Sequence, residues 1–245
     1  MEITVIFYLL LFIVAFLYAS VGHGGASGYL ALMAIYGFAP DLMKPTALLL
    51  NIFVSLTAFI QFYRGRHFNW KIFLPLALAS IPFAFLGGMM SIDATLYKKI
   101  LGLLLLIPVA RFFFLTNTSE EEKQIPNIVW SLLLGAMIGF LSGLIGIGGG
   151  IILSPILLLL RWTDQKQTAA ISALFIFVNS LSGLSGQLTK GINFSSDMLL
   201  MVIIAFVGGL LGAWFGSLKF RQEILKFTLA SVLTLAAFKL LFTTA

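Results

Sequence analysis

The chain has 245 residues, of which 60% are hydrophobic and 10% are charged, and its mean hydropathy is +1.07. Soluble domains have about a quarter of their residues charged, so this composition excludes a soluble globular protein and predicts several membrane crossings. The formal net charge of +6 does not indicate nucleic-acid binding, because the basic residues are scattered between apolar runs, and the lack of cysteine with only two histidines predicts no disulfide, metal site or cofactor.

Ten apolar runs follow one another along the chain: 3–21, 28–37, 46–63, 72–90, 98–115, 127–145, 151–161, 168–187, 198–217 and 224–243. Most are close to the ~20 residues that a helix needs to cross a bilayer. The first run has no basic segment before it and is predicted to be a retained helix. Runs 28–37 and 151–161 are about half the spanning length. Each of these two follows a glycine cluster, at 21–28 and at 145–150.

The two halves of the chain resemble each other. Three glycines of the first cluster align at one offset with three of the second: Gly22 with Gly146, Gly24 with Gly148 and Gly25 with Gly149. Each cluster is followed by a short run and then by three long ones. The longest polar stretch separates the halves. We therefore predict a first transmembrane repeat at 1–115, a cytoplasmic linker at 116–126 and a second transmembrane repeat at 127–245.

The positions of lysine and arginine predict that these repeats are inverted. Basic residues favour cytoplasmic loops, and alternating crossings place ten of the fifteen on one side. Equivalent loops, such as 64–71 and 188–197, then fall on opposite sides, with both termini outside. The predicted fold is an all-α polytopic membrane protein of two inverted-topology repeats, each with a glycine-broken short helix and three long transmembrane helices. It requires the pairs 1–37 and 127–161 to enter and leave by the same face.

The glycine clusters also predict where a ligand binds. Each leads into a short helix, whose first amide groups and dipole attract negative charge, and glycine lets a ligand approach that backbone. None of the nine carboxylates lies deep in an apolar run, which disfavours a cation substrate. We predict an anion site at mid-membrane, between the two clusters. Tight helix packing is the alternative explanation, and we prefer it for the glycines at 87–91 and 207–216.

The predicted substrate-binding residues lie in the two clusters and on the long helices after them: Gly22, His23, Gly24, Gly25, Ala26, Ser27, Asn51, Ser55, Gly146, Gly148, Gly149, Gly150, Asn179 and Ser182. His23 is predicted to be the one ionisable residue within the membrane core. It could pair with the anion, carry a proton alongside it, or stay neutral within its loop. The polar side chains on the long helices could instead form hydrogen bonds between helices.

The stretch GLIGIGGGIILSPILLLL at 143–160 and its counterpart VGHGGASGYLALMAIYG at 21–37 resemble the sulfite exporter TauE/SafE family of membrane transporters. The second copy fits well and includes Pro155, whereas the first has Ala31 where the matching proline would fall. The resemblance implies transport, with export as the expected direction, of small sulfur-containing anions such as sulfite or organosulfonates. The lipid bilayer of a bacterial cytoplasmic membrane is the expected location.

Three other functions remain open from the residues alone. An anion channel would use the same dipoles and small polar groups. An intramembrane serine protease would use GLSG at 183–186, with Ser185 as nucleophile and His23 or His67 as base. A structural subunit would gain nothing from broken helices. The sequence favours a transporter over an enzyme and leaves the oligomeric state open, with a homodimer as one compatible arrangement.

Overall fold

The computed structural model describes residues 5–20, 25–114, 124, 126–192, 195–216 and 233–242. Within these ranges the chain is helical and forms no strand. The helices are α1 (Val5–Ser20), α2 (Ala26–Ile35), α3 (Pro40–Arg64), α4 (Trp70–Met89), α5 (Ala94–Phe114), α6 (Ile128–Ile145), α7 (Gly150–Leu159), α8 (Gln165–Leu188), α9 (Ser196–Gly216) and α10 (Leu233–Phe242). They follow the predicted apolar runs in order, and the all-α fold class is confirmed.

The helices differ in whether they are long enough to cross a membrane. In the described ranges, α3, α4, α6 and α8 are each long and apolar enough to do so. Helices α2 and α7 have ten residues each, about half of what a crossing needs. Large apolar side chains such as Leu78 on α4 and Met137 on α6 remain exposed, as a surface that faces lipid requires.

Each short helix returns the chain to the end of the bundle at which the helix before it begins. The ring of Phe7, near the start of α1, stacks on the ring of Phe38, which follows α2, with centroids 5.2 Å apart. In the second half, the amide of Gln124, before α6, donates to the carbonyl of Arg161, after α7, at 3.0 Å. Both glycine-broken pairs therefore enter and leave by the same face, as the predicted topology requires.

Glycines bring helices of the two halves into backbone contact. Helix α4 packs along α6, and α9 packs along α1. Glycines of α6 lie on successive carbonyls of α4: Gly135 on Leu76, Gly139 on Ser80 and Gly143 on Ala84. Glycines of α9 lie likewise on α1: Gly208 on Phe12 and Gly212 on Phe16. The packing role predicted for the glycines at 207–216 is confirmed, and so is that for 87–91, where Gly88 lies on the carbonyl of Gly183.

These contacts give the directions of the helices. The residue numbers rise together along both partners, so α6 runs parallel to α4 and α9 runs parallel to α1. Because α1 to α4 alternate in direction, α6 runs opposite to α1, its counterpart in the first half, and α9 runs opposite to α4. Equivalent helices thus point in opposite directions, as inverted repeats require. The repeat relation and the boundaries 1–115, 116–126 and 127–245 stay predictions.

We expect Gly143→Ala to destabilise the fold, because the added Cβ would overlap the carbonyl of Ala84, and backbone cannot move aside as a side chain can. The free energy of unfolding should fall by about 2–3 kcal/mol, seen as a lower Tm of the purified protein in detergent. The control is Gly209→Ala, whose Cβ would lie 3.3 Å from the methyl groups of Val54. Equal Tm values for the two variants would contradict the packing argument.

Candidate anion site

The second glycine cluster forms a left-handed turn between α6 and α7. The amide of Gly146 donates to the carbonyl of Ser142 at 2.8 Å and ends α6. Gly148 and Gly149 follow with φ of +73° and +79°, a region that glycine adopts without strain. Gly149 is the N-cap of α7, and no described side chain caps it. The turn therefore presents the first amide groups of α7 and the positive end of its dipole.

A buried polar pair faces this turn. A Cβ atom added to Gly148 would lie 2.8 Å from Nδ2 of Asn51 and 3.0 Å from Oγ of Ser180, and we call this point the Cβ position of the glycine. Helices α3 and α8 therefore each contribute one polar group next to Gly148. Both side chains are 0% exposed, and neither the amide of Asn51 nor the hydroxyl of Ser180 has a hydrogen-bond partner among the described residues. Such groups are rare and cost about 1–3 kcal/mol each, so this cluster marks a place suited to a polar ligand.

The other glycines of the turn contact apolar side chains. The Cβ position of Gly149 lies 2.9 Å from Cε1 of Phe175, and that of Gly150 overlaps the side chain of Ile176. These two glycines let the turn lie close against α8. Gly148 is the position in the turn that faces the polar pair.

The remaining polar residues predicted on the long helices form hydrogen bonds within the helix bundle. Ser55 donates to the carbonyl of Asn51 at 2.6 Å. The Nδ2 of Asn179 donates to the carbonyl of Phe175, one turn back along α8, at 2.8 Å. Its Oδ1 is buried without a partner in the described part of the chain. Ser182 donates to the carbonyl of Ile81 on α4 at 2.6 Å. Of the four predicted residues, Asn51 is the one at the turn.

The first glycine cluster is described only in part. Gly22, His23 and Gly24 lie outside the described residues, so the meeting of the two loops and the role of His23 stay predictions. Gly25 precedes α2 without a capping side chain in the described ranges, and the buried Ala26 begins that helix.

Polar groups next to Gly25 continue the same pattern. The hydroxyls of Ser27 and Tyr18 are 2.7 Å apart, which joins α2 to the end of α1. The ring of Tyr29 lies against Gly25, and the hydroxyl oxygen of this tyrosine lies 2.6 Å from the Cβ position of Gly25. This hydroxyl is also buried, and no described group bonds it. The start of α2 thus resembles the start of α7 in having an unpartnered donor beside a glycine.

Sequence reasoning placed neither Ser180 nor Tyr29 in the site. Ser180 follows the predicted residue Asn179, but the spacing of polar residues does not give the rotation of α8 about its axis. Tyr29 lies one turn after Gly25 in a largely apolar helix, and a tyrosine there is equally compatible with packing. A search for polar side chains one turn after each glycine cluster would have found Tyr29.

Together the described helices define a multi-pass membrane protein, and the buried polar turn before the short helix α7 is its candidate site. The chain matches a family model described as "Sulfite exporter TauE/SafE" over residues 7–240. It therefore belongs to this family, and the resemblance noted from its glycine motifs is confirmed.

Relatives from distant organisms carry transporter names. The chain is 33% identical over 237 residues to a probable membrane transporter of Sinorhizobium fredii, covering 94% of this chain and 95% of that one. It is 30% identical over 190 residues to a probable membrane transporter of Methanocaldococcus jannaschii, covering 73% and 70%. A sulfite exporter TauE/SafE family protein of Arabidopsis thaliana is 29% identical over 123 residues, covering 49% and 26%. No solved structure matches the chain.

We expect Gly148→Ala to abolish anion binding, because its Cβ would occupy the space between Asn51 and Ser180. Gly37→Ala is the control, since Gly37 has a similar φ of +76° and nothing lies within 4 Å of its Cβ position. Both variants should lose about 1–2 kcal/mol of stability from left-handed strain. Gly148→Ala should lose more than this, because its Cβ would lie only 2.8 Å from Nδ2 of Asn51 and from Cγ2 of Ile176. The increase in Tm caused by sulfite or methanesulfonate should disappear in Gly148→Ala alone. An unchanged increase in Gly148→Ala would contradict the site.

Proposed function

We propose that the chain is a secondary transporter that exports small sulfur-containing anions, such as sulfite or an organosulfonate, across the cell membrane. The observation that carries the proposal is the buried pair Asn51 and Ser180 at Gly148, beside the start of α7, whose Nδ2 and Oγ have no hydrogen-bond partner among the described residues. An amide, a hydroxyl and the first amides of a helix are neutral hydrogen-bond donors. Buried donors of this kind bind an anion without the desolvation of a lysine ammonium.

Family membership supports the sulfur-containing substrate class. The family description and the name of the Arabidopsis relative both refer to a sulfite exporter. Sulfite and sulfonates carry three oxygens on one sulfur, so one anion could accept from the Asn51 amide, the Ser180 hydroxyl and an α7 amide together. A carboxylate has only two oxygens, which lie in one plane, so two of these three donors would have to share one oxygen.

The helix arrangement supports alternating access. Asn51 lies on α3 in the first half, whereas Ser180 and the turn belong to the second half, so the anion would lie where the halves meet. A relative movement of the halves could open the site to one side and then to the other. Both halves would hold the anion in either state.

We expect Ser180→Ala and Asn51→Leu to lower sulfite or methanesulfonate transport in proteoliposomes by about 10- to 100-fold, the effect of losing one hydrogen bond to a charged group. Both should keep or raise the Tm, because each removes a buried group without a partner among the described residues. Ser55→Ala is the control, since that hydroxyl bonds its own helix. Unchanged transport in both site variants would reject the proposed function.

A counterflow measurement separates a carrier from the anion channel. Proteoliposomes loaded with unlabelled methanesulfonate should take up the labelled anion transiently above its equilibrium level. A channel would only equilibrate the label. The label could equilibrate without accumulating, in protein whose transport is still lowered by Ser180→Ala. This result would support the anion site and reject the carrier mechanism.

The enzymatic alternative depends on Ser185. Its hydroxyl donates to the carbonyl of Leu181 on the same helix at 2.9 Å. A serine hydroxyl that bonds the carbonyl one turn back along its own helix needs no catalytic role to explain it. We therefore do not propose proteolysis as a function of the chain.

The proposed proton coupling depends on His23. A protonated His23 would attract the anion, so transport should rise as the pH falls and the imidazole becomes protonated. In His23→Ala proteoliposomes this rise should disappear, whereas His67→Ala, which changes the other histidine of the chain, should retain it. Full pH dependence in His23→Ala would show that His23 does not couple the proton.

A further inference from the structure

A polar cavity of about 490 Å³ opens where α3 begins and where α4 and α8 end. We call it the vestibule. Its walls include Lys44 on α3, Gln187 at the end of α8, and Lys190 and Ser91 on the connections that follow α8 and α4. The vestibule lies at the same end of the bundle as the start of α1, because α3 begins beside Phe38. The distribution of basic residues predicts that this end faces outward.

The vestibule is rich in hydrogen-bond donors. Lys190 is exposed and donates to the carbonyl of Met90 at 2.6 Å, while partial burial lowers its pKa and Asp41 opposes this shift. Gln187 is only 5% exposed, and its Nε2 is buried without a hydrogen-bond partner among the described residues. Among the described residues of the vestibule wall, Asp41 is the one carboxylate, and it is exposed on the first turn of α3. Two ammonium groups and an unpartnered amide N–H outweigh it, so the chemistry suits an anion.

Lys44 connects the vestibule to the glycine turn. It is 3% exposed, and its ammonium lies 4.8 Å from the centroid of the Tyr97 ring. The Tyr97 hydroxyl donates at 3.0 Å to the carbonyl of Ile145, the last residue of α6. The backbone of Lys44 lies against Gly146, with Cα 3.0 Å from the Cβ position of that glycine. Lys44, which lies between the predicted apolar runs 28–37 and 46–63, is therefore buried beside the turn.

Helix spacing aligns the vestibule with the site. Asn51 follows Lys44 by seven residues on α3, and Ser180 precedes Gln187 by seven residues on α8. Seven residues are two turns, so each pair lies on one face of its helix, about 10 Å apart along the axis. Helices α3 and α8 pack together. Two parallel rows of polar groups thus lead from the vestibule to the turn.

An apolar contact interrupts these rows. Leu48 lies between Lys44 and Asn51 on α3 and is fully buried. Its Cδ1 lies 3.5 Å from the Cβ position of Gly183, which lies between Ser180 and Gln187 on α8. Leu48 therefore lies between the vestibule and the pair Asn51 and Ser180 in this conformation.

We propose that the vestibule is a second anion-binding site, which holds the sulfur-containing anion at the outer face, separated by Leu48 from the site at Gly148. This inference rests on the proposed function for the identity of the anion. Lys44, Lys190 and Gln187 hold the anion there, and movement of Leu48 connects the two sites.

The test uses a single cysteine, because the natural chain has none. Ser91→Cys places a thiol in the vestibule wall of the purified full-length protein. The thiol is reacted separately with an anionic and a cationic methanethiosulfonate reagent, which gives a ratio of the anionic rate to the cationic rate. This ratio is compared with the ratio that the free thiol mercaptoethanol gives with the same two reagents. The anionic reagent should be favoured. Lys190→Met and Lys44→Met should each lower the ratio by about fivefold, as expected for a unit charge about 8 Å away in water.

The matched control is Lys99→Met, which removes an exposed lysine at the same end of the bundle but outside the vestibule. It should leave the rate ratio unchanged. A ratio equal to that of mercaptoethanol, or one that Lys99→Met lowers as much as Lys190→Met, would overturn the vestibule as an anion site.

Protection by methanesulfonate separates this proposal from the proposed function. At constant ionic strength set with chloride, methanesulfonate should slow modification of the thiol, and it should still do so in the Ser180→Ala background. Loss of protection in that background would place the anion at the deep site alone and overturn the vestibule. A different outcome is protection that survives in the Ser180→Ala background while Ser180→Ala and Asn51→Leu both leave transport unchanged. This outcome would support anion binding in the vestibule and reject the function proposed for the site at Gly148.

Discussion

The whole architecture depends on one constraint: backbone amides and carbonyls within a bilayer must have partners inside the protein or a polar cavity. A helix that breaks inside a membrane protein exposes several of these groups, and lipid does not satisfy them. In this chain the break before α7 is covered by α3 and α8, whose packing encloses the turn. The short helix is therefore compatible with a membrane only because other long helices surround its start.

Glycine meets this constraint in two different backbone conformations. Gly143 is helical, and its missing side chain lets the carbonyl of Ala84 approach. Gly148 has a positive φ, and its missing side chain leaves room between an amide and a hydroxyl. The first use holds the two halves together, and the second shapes the site. Both lie within a few residues of each other, so the tightest packing of the bundle supports the turn directly.

The hydropathy of the sequence predicts the helices of this chain, whereas the spacing of its polar residues predicts only part of the candidate site. Apolar run lengths predicted ten helices and their order, because crossing length is a strong constraint. The rotation of a helix about its axis is a weaker signal in a chain that is apolar on all sides. Asn179 and Ser180 are neighbours, and only the packing of α8 decides which hydroxyl or amide meets the turn. Lys44 lies between two apolar runs of the sequence, yet the ring of Tyr97 on α5 and the backbone of Gly146, after α6, lie against it.

The unpartnered groups at the turn argue for binding over packing. If Asn51 served only to join helices, its amide would bond a neighbouring helix, as the Ser182 hydroxyl does with Ile81. A leucine would fill the same volume without the cost of about 1–3 kcal/mol for a buried, unpartnered polar group. The fold bears that cost twice, on two helices from different halves, at one glycine. A ligand that accepts hydrogen bonds from both groups recovers this energy, and the recovery is largest when the ligand is negatively charged.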